Sequence, residues 1–73
     1  MLITINSDYR DADEAYCFYK LLLNLDFNCL ERDLCVYKMH FDNLNKSLSD
    51  DDLNEIFQFI KDWEISCDIN FKV

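Results

Sequence analysis

Four cysteines, one histidine and fifteen acids are the side chains with chemistry to offer in this chain of 73 residues. Cys17, Cys29, Cys35 and Cys67 include no Cys-x-x-Cys pair, and His40 is the only histidine. A structural zinc site is built from two close ligand pairs, so no metal or other cofactor is expected. Catalysis needs an oriented acid or base, an activated nucleophile or a metal. His40 has no identifiable partner, and the chain is not expected to be an enzyme. Glycine and proline are both absent, which removes phosphate-cradling loops and nucleophile elbows together. With no secretory signal, the thiols read as reduced and buried, behaving as small hydrophobes.

What remains is charge. Fifteen acids against seven bases give a formal charge of −8 and a pI near 4.2. Nucleic acid is excluded as a direct ligand because phosphate binding needs a basic footprint, and an anionic membrane surface is disfavoured likewise. A field of this sign speeds encounter with a basic protein surface; its bland alternative is solubility alone. Hydrophobic content of 51% is too high for a disordered acidic tail, so one domain over residues 1–73 is expected. The longest apolar run is Leu21-Leu22-Leu23, too short for a transmembrane span. The opening Met-Leu-Ile-Thr-Ile-Asn lacks the basic and apolar regions of a signal peptide, and the cytoplasm is the expected compartment.

The elements that must carry these charges follow from periodicity. Leu2 to Ile5 is a β-branched run and reads as a strand. Asp11 with Glu14 fits a capping-box spacing, with Ser7 and Asp8 as other possible caps. From Ala12 to Leu25 apolar residues recur at helical spacing over a wide arc, leaving Asp13, Cys17, Lys20 and Asn24 on the opposite side. Either loops wrap the excess, or Tyr16, Tyr19 or Leu23 serves a self-association or target surface. Phe27 to Glu31 and Leu34 to Phe41 read as strands separated by a turn at Arg32-Asp33. That turn lacks Asn-Gly, so the hairpin register is open. Without glycine, turns are expected to use Asn and Asp.

Ser49 caps a second helix, with Asp52 completing a box and Asp50 and Asp51 in the first turn, where the dipole favours anions. Leu53, Ile56, Phe57, Ile60 and Trp63 form the expected inward stripe. Asp51, Glu55 and Asp62 project outward with Gln58, and no lysine lies on this ridge. Carboxylates four residues apart are separated by about 6 Å of helix rise, of the order of the about 3.4 Å axial phosphate spacing along a strand. Unpaired acids at this spacing cost a helix a few tenths of a kcal/mol, so stability alone does not favour the arrangement. Finally Ile65, Cys67, Ile69, Phe71 and Val73 alternate with Ser66, Asp68, Asn70 and Lys72, a strand with one face buried.

The order strand, helix, strand, strand, helix, strand predicts an α+β two-layer sandwich, the βαββαβ ferredoxin-like arrangement. The alternative drops Phe27 to Glu31 into a loop. It leaves three strands with two helices, resembling a barstar-type fold through a helix followed by Cys67-Asp68-Ile69.

In length, acidity, single domain and the Asp51-Glu55-Asp62 ridge, the chain is similar to small inhibitors made by phages and mobile elements, anti-CRISPR proteins and other DNA mimics among them. This is a likeness of class, since those proteins share no common motif. It implies a non-enzymatic, stoichiometric inhibitor of a nuclease or RNA-guided complex, its carboxylates standing in for phosphates on arginine and lysine side chains. Asp51, Glu55 and Asp62 are the first contact candidates, Asp11, Asp13 and Glu14 the second, with Tyr16 and Tyr19 as aromatic candidates. Other readings are an immunity or antitoxin protein for a basic toxin, and a structural or regulatory homodimer.

Overall fold

Ile3 and Ile5 are fully buried, while Leu2, Thr4 and Asn6 alternate onto the other face of the same strand. That strand, β1 (Leu2–Asn6), lies inside the sheet of the computed structural model. The elements after it are α1 (Ala12–Asn24), β2 (Asn28–Arg32), β3 (Val36–His40), α2 (Asp50–Trp63) and β4 (Cys67–Asn70). The structure describes residues 1–7, 12–33, 36–41 and 47–71.

The sheet order is β2-β3-β1-β4, and every neighbouring pair is antiparallel. β3 fills the gap between β1 and β2, and β1 fills the gap between β3 and β4, which is the ferredoxin-like α+β topology. On the inner face Ile3 sits between Met39 and Ile69, and Ile5 between Tyr37 and Cys67. Phe18 and Leu22 of α1 and Ile56 of α2 close over these rows in one core. The outer face carries Thr4 between Lys38 and Asp68, and Leu2 between His40 and Asn70. Phe27 to Glu31 is therefore not a loop, and the three-stranded alternative is set aside.

The hairpin corrects the expected turn. β2 continues through Arg32, and the Asp33 N–H donates to the Val36 carbonyl at 2.8 Å, so pairing closes beyond Arg32-Asp33. A bulge at Leu30 lets Cys29 face Met39 while Glu31 faces Lys38 and Arg32 faces Tyr37. Without that extra residue, the period-two pleat would bring Glu31 onto the inner face opposite Tyr37. With it, Glu31 meets the Lys38 ammonium at 3.1 Å on the wet face. Cys29 faces Met39, and Cys35 lies outside the described residues.

The inward stripe of α2 also differs. Ile56 is fully buried and Leu53 and Ile60 half-buried, but Phe57 is 42% and Trp63 50% exposed. Phe59 takes their place by stacking on Phe18 at 5.4 Å. The sheet is too narrow to roof the whole apolar arc, so Phe57 lies over the β4 end against Phe71 at 6.5 Å. The β4 alternation holds from Ile65 to Asn70 and fails at Phe71, which is exposed and past the strand.

Both helices end in left-handed residues, Asp26 at φ 70° and Glu64 at φ 51°. Phe27 N–H to Leu22 O (3.0 Å) and Asp26 N–H to Leu23 O (3.1 Å) form a Schellman closure after α1. Ile65 N–H to Ile60 O (3.1 Å) does the same after α2. Asp fits the expected turn chemistry, whereas Glu64 does not, and no described asparagine has positive φ. Burial of Phe27 and the packing of Ile65 against the core force the reversal there, whatever residue occupies the corner.

A left-handed non-glycine residue costs about 1–2 kcal/mol, and an anion at a helix C-terminus adds to that. Glu64→Gly is expected to raise stability by about 1 kcal/mol and the thermal midpoint by about 4–8 °C. Asp26→Gly should raise it less, because Asp tolerates this region better. Thermal unfolding followed by circular dichroism checks both, and a lowered midpoint for Glu64→Gly would contradict the assignment.

Candidate functional site

Helix α2 is fixed at its start by a reciprocal cap. The Asp52 N–H donates to Ser49 Oγ at 3.1 Å, and the Ser49 N–H donates to Asp52 Oδ2 at 3.4 Å. Asp52 is therefore occupied by the cap, while Asp50 and Asp51 are exposed in the same turn. The acid triplet does start a helix, but only one of its carboxylates is needed for the box.

Two aromatic contacts set how the helix is turned. Phe59 stacks on Phe18 of α1, so its side of α2 faces α1, while Phe57 against Phe71 marks the side facing β4. At 3.6 residues per turn, Asp51, Glu55, Gln58 and Asp62 then follow Phe59 around onto the outer surface. All four are exposed. The Gln58 Nε2 donates to Asp62 Oδ1 at 2.7 Å, bracing one carboxylate on the ridge. No lysine or arginine lies within ion-pair distance of Asp51, Glu55 or Asp62 among the described residues.

The charge is segregated. Residues 50–64 hold six acids (Asp50, Asp51, Asp52, Glu55, Asp62 and Glu64) and one base, Lys61, a net −5 out of the chain's −8. Three other described bases are engaged elsewhere. Lys38 pairs with Glu31, and Lys20 lies 5.9 Å from the Tyr16 ring. The Arg32 guanidinium lies 5.1 Å from the Tyr19 ring and 5.7 Å from that of Tyr16.

The expected sites are thus not one surface. Asp51, Glu55 and Asp62 share a face. Asp13 is exposed in the first turn of α1, Glu14 is half-buried there, and Asp11 lies outside the described residues. Tyr19 stacks on Tyr37 at 5.0 Å and closes the β2 side of the core, with Arg32 laid over it and over Tyr16. On the apolar arc of α1 a cation lies over the two tyrosine rings, while Tyr16 and Leu23 stay partly exposed among the described residues.

Residue spacing had not pointed to the open recess between the start of α1 and the end of α2. Asn6, Ser7, Glu14, Trp63, Glu64 and Ser66 line it. Trp63 extends the aromatic stack, 5.4 Å from Phe59 with the rings 10° from parallel. Glu14 Oε2 is shielded from solvent, with no hydrogen-bond partner among the described residues. The one hint in the sequence was an aromatic at the last turn of a helix, directly before an acid.

The thiols are free at Cys17, Cys29 and Cys67, but only Cys67 is half-buried; Cys17 lies on an exposed position of α1, and β2, which carries Cys29, is exposed along its length. Burial, then the neighbouring Asp68 charge, pushes the Cys67 thiol above its ordinary 9.0. Among the described residues, no group of three or more His, Cys, Asp or Glu side chains is placed to hold a metal ion. No described helix is long and apolar enough to cross a membrane.

The raised Cys67 value fixes a sign. Its neutral thiol favours the fold fully below pH 9.0, and that contribution is lost as pH rises through the higher native value. Unfolding in urea across pH 8 to 10.5 should show a steeper alkaline loss for the parent than for Cys67→Ala. At pH 8, Ellman's reagent should consume Cys17 and Cys29 before Cys67; faster reaction of Cys67 would contradict its burial.

No protein-family model, curated protein sequence or solved structure matches this chain.

Proposed function

We propose that this chain is a non-enzymatic, stoichiometric inhibitor acting in the cytoplasm. In this reading it binds the basic nucleic-acid-binding surface of a defence nuclease or RNA-guided complex, as anti-CRISPR proteins of the DNA-mimic kind do. The observation that carries the reading is the α2 ridge, where Asp51, Glu55 and Asp62 are exposed together with no ion-pair partner among the described residues.

The physical case is one of fit. Exposed carboxylates held along one rigid helix present acceptors at regular intervals to arginine and lysine side chains, which bind them by charge-assisted hydrogen bonds. Segregation of charge onto α2 gives the molecule a polarised field, which orients its approach to a basic groove and raises the association rate. Solubility would be served as well by acids scattered over the surface. A helix under selection for stability alone would set Lys61 at i,i+4 from an acid, yet Lys61 forms no ion pair among the described residues.

Affinity purification from the native host with mass spectrometry should enrich a basic nucleic-acid enzyme. With that target in hand, Asp51→Asn, Glu55→Gln and Asp62→Asn combined should raise Kd at least about tenfold. The parent complex should weaken steadily as salt rises from 50 to 300 mM while the fold, followed by circular dichroism, is unchanged. Undiminished binding by the triple variant would refute the ridge.

A further inference from the structure

We infer that the β4 side of α2, with Phe57 and Phe71 at its centre, binds a second copy of this chain about a two-fold axis. The inference goes beyond the inhibitor reading and does not rest on it, because this face lies apart from the acidic ridge.

Two large apolar side chains meet here in the open. Phe57 is 42% and Phe71 64% exposed, and their rings are 6.5 Å apart. β4 is an outer strand of the sheet, so no strand among the described residues lies beyond it to cover them. On the helix, Asp50, Lys61 and Asn54 follow Phe57 around, all within about 60° of it. All three are exposed. This flank carries one acid and one base, whereas the Asp51, Glu55 and Asp62 ridge is centred about 100° further round. Neither flank charge is tied down within the chain. Asp52, not Asp50, closes the helix cap, and neither Asp50 nor Lys61 has an ion-pair partner among the described residues.

The spacing of these residues is self-complementary. Asp50 and Lys61 lie eleven positions apart in the chain, about 16 Å along the helix axis, with Asn54 and Phe57 placed symmetrically between them. In a two-fold contact residue i meets j and j meets i. Two such flanks docked antiparallel, with the axis between positions 55 and 56, set each Lys61 against Asp50 of the other copy. Each Phe57 then lies beside the other copy's Asn54, and the Phe57–Phe71 pairs come together around the axis. Other occupants match less of the face. A basic partner gains more on the ridge, and an anionic surface is repelled by the chain's net −8. An apolar ligand covers the rings but makes no use of the opposite charges on either side of them. Repulsion between the two acidic copies is muted because the ridges point away from the axis and the Debye length at physiological salt is about 8 Å.

Sedimentation equilibrium from about 20 µM to about 1 mM, in 150 mM salt with a reductant to keep Cys17 and Cys29 as thiols, tests this. The mass should rise from 8.8 kDa toward twice that value. Phe71→Ser should raise the dimer Kd roughly tenfold or more. So should Lys61→Asp and Asp50→Lys taken singly, while the double swap, which keeps the net charge, should return Kd to within about threefold of the parent. Asp50→Lys is the sharpest variant: it lowers the net negative charge, so association governed by overall repulsion alone would tighten, whereas the pairing with Lys61 demands that it weaken. Circular dichroism verifies the fold of each variant. A parent that stays at 8.8 kDa throughout, a dimer indifferent to Phe71→Ser, or single swaps that the double swap does not rescue would overturn the inference. The ridge variant of the preceding section should dimerise at least as well as the parent, so each proposal can fail while the other stands.

Discussion

The stack of Phe59 on Phe18 is the contact on which the surface of this molecule depends. Phe18 is wholly buried between its helix and the sheet, and Phe59 lies nearly parallel to it, 13° away at 5.4 Å. Through that contact α2 is fixed in rotation as well as position. A turn of the helix by one residue, about 100°, would carry Glu55 or Asp52 into the core or tip Ile56 into water. The outward direction of the ridge is therefore a consequence of aromatic packing on the inside. The same stack continues to Trp63, so a single run of rings connects the core to the recess.

A small core leaves little apolar surface to waste, and the chain handles the excess in unequal ways. On α1, Arg32 lies over the two tyrosine rings, and its placement follows from the Leu30 bulge and the register it sets. On α2, Phe57 and Trp63 are only partly covered, about 120° apart around the helix. The helix ends show the same economy of means: with no glycine, Asp26 and Glu64 take left-handed angles, and the backbone reversals are held by hydrogen bonds to the last turns. Local strain at both corners is tolerated because the residues that follow, Phe27 and Ile65, pack against the core.

Electrostatics divides the surface into two regimes. On the sheet and on α1, the described bases meet partners: Lys38 with Glu31, Lys20 and Arg32 with tyrosine rings. On α2 the acids outnumber the single lysine six to one across residues 50–64. Exposed pairs contribute little to stability, so removing them from α2 costs the fold almost nothing while concentrating the field on one side. The geometry of the helix thus separates what holds the protein together from what it presents outward.

Periodicity and capping are short-range properties, and the sequence by itself determined them. Ser49 and Asp52 specify the start of α2 through bonds three residues apart, the β-branched Ile3 and Ile5 specify a central strand, and the six elements in order specify a ferredoxin-like sheet. The acidic ridge was legible for the same reason, since positions four apart on a helix share a face in any context. Only the tertiary structure decided the hairpin register, because a bulge at Leu30 gains nothing until Glu31 must be kept from facing Tyr37. It alone decided that Phe59 replaces Phe57 and Trp63 in the core, because the buried side of a helix depends on what lies beneath it. The recess, which joins Glu14 to Trp63 and Glu64, is made by two helix ends from opposite halves of the chain. No local pattern records which distant residues a folded chain will bring together.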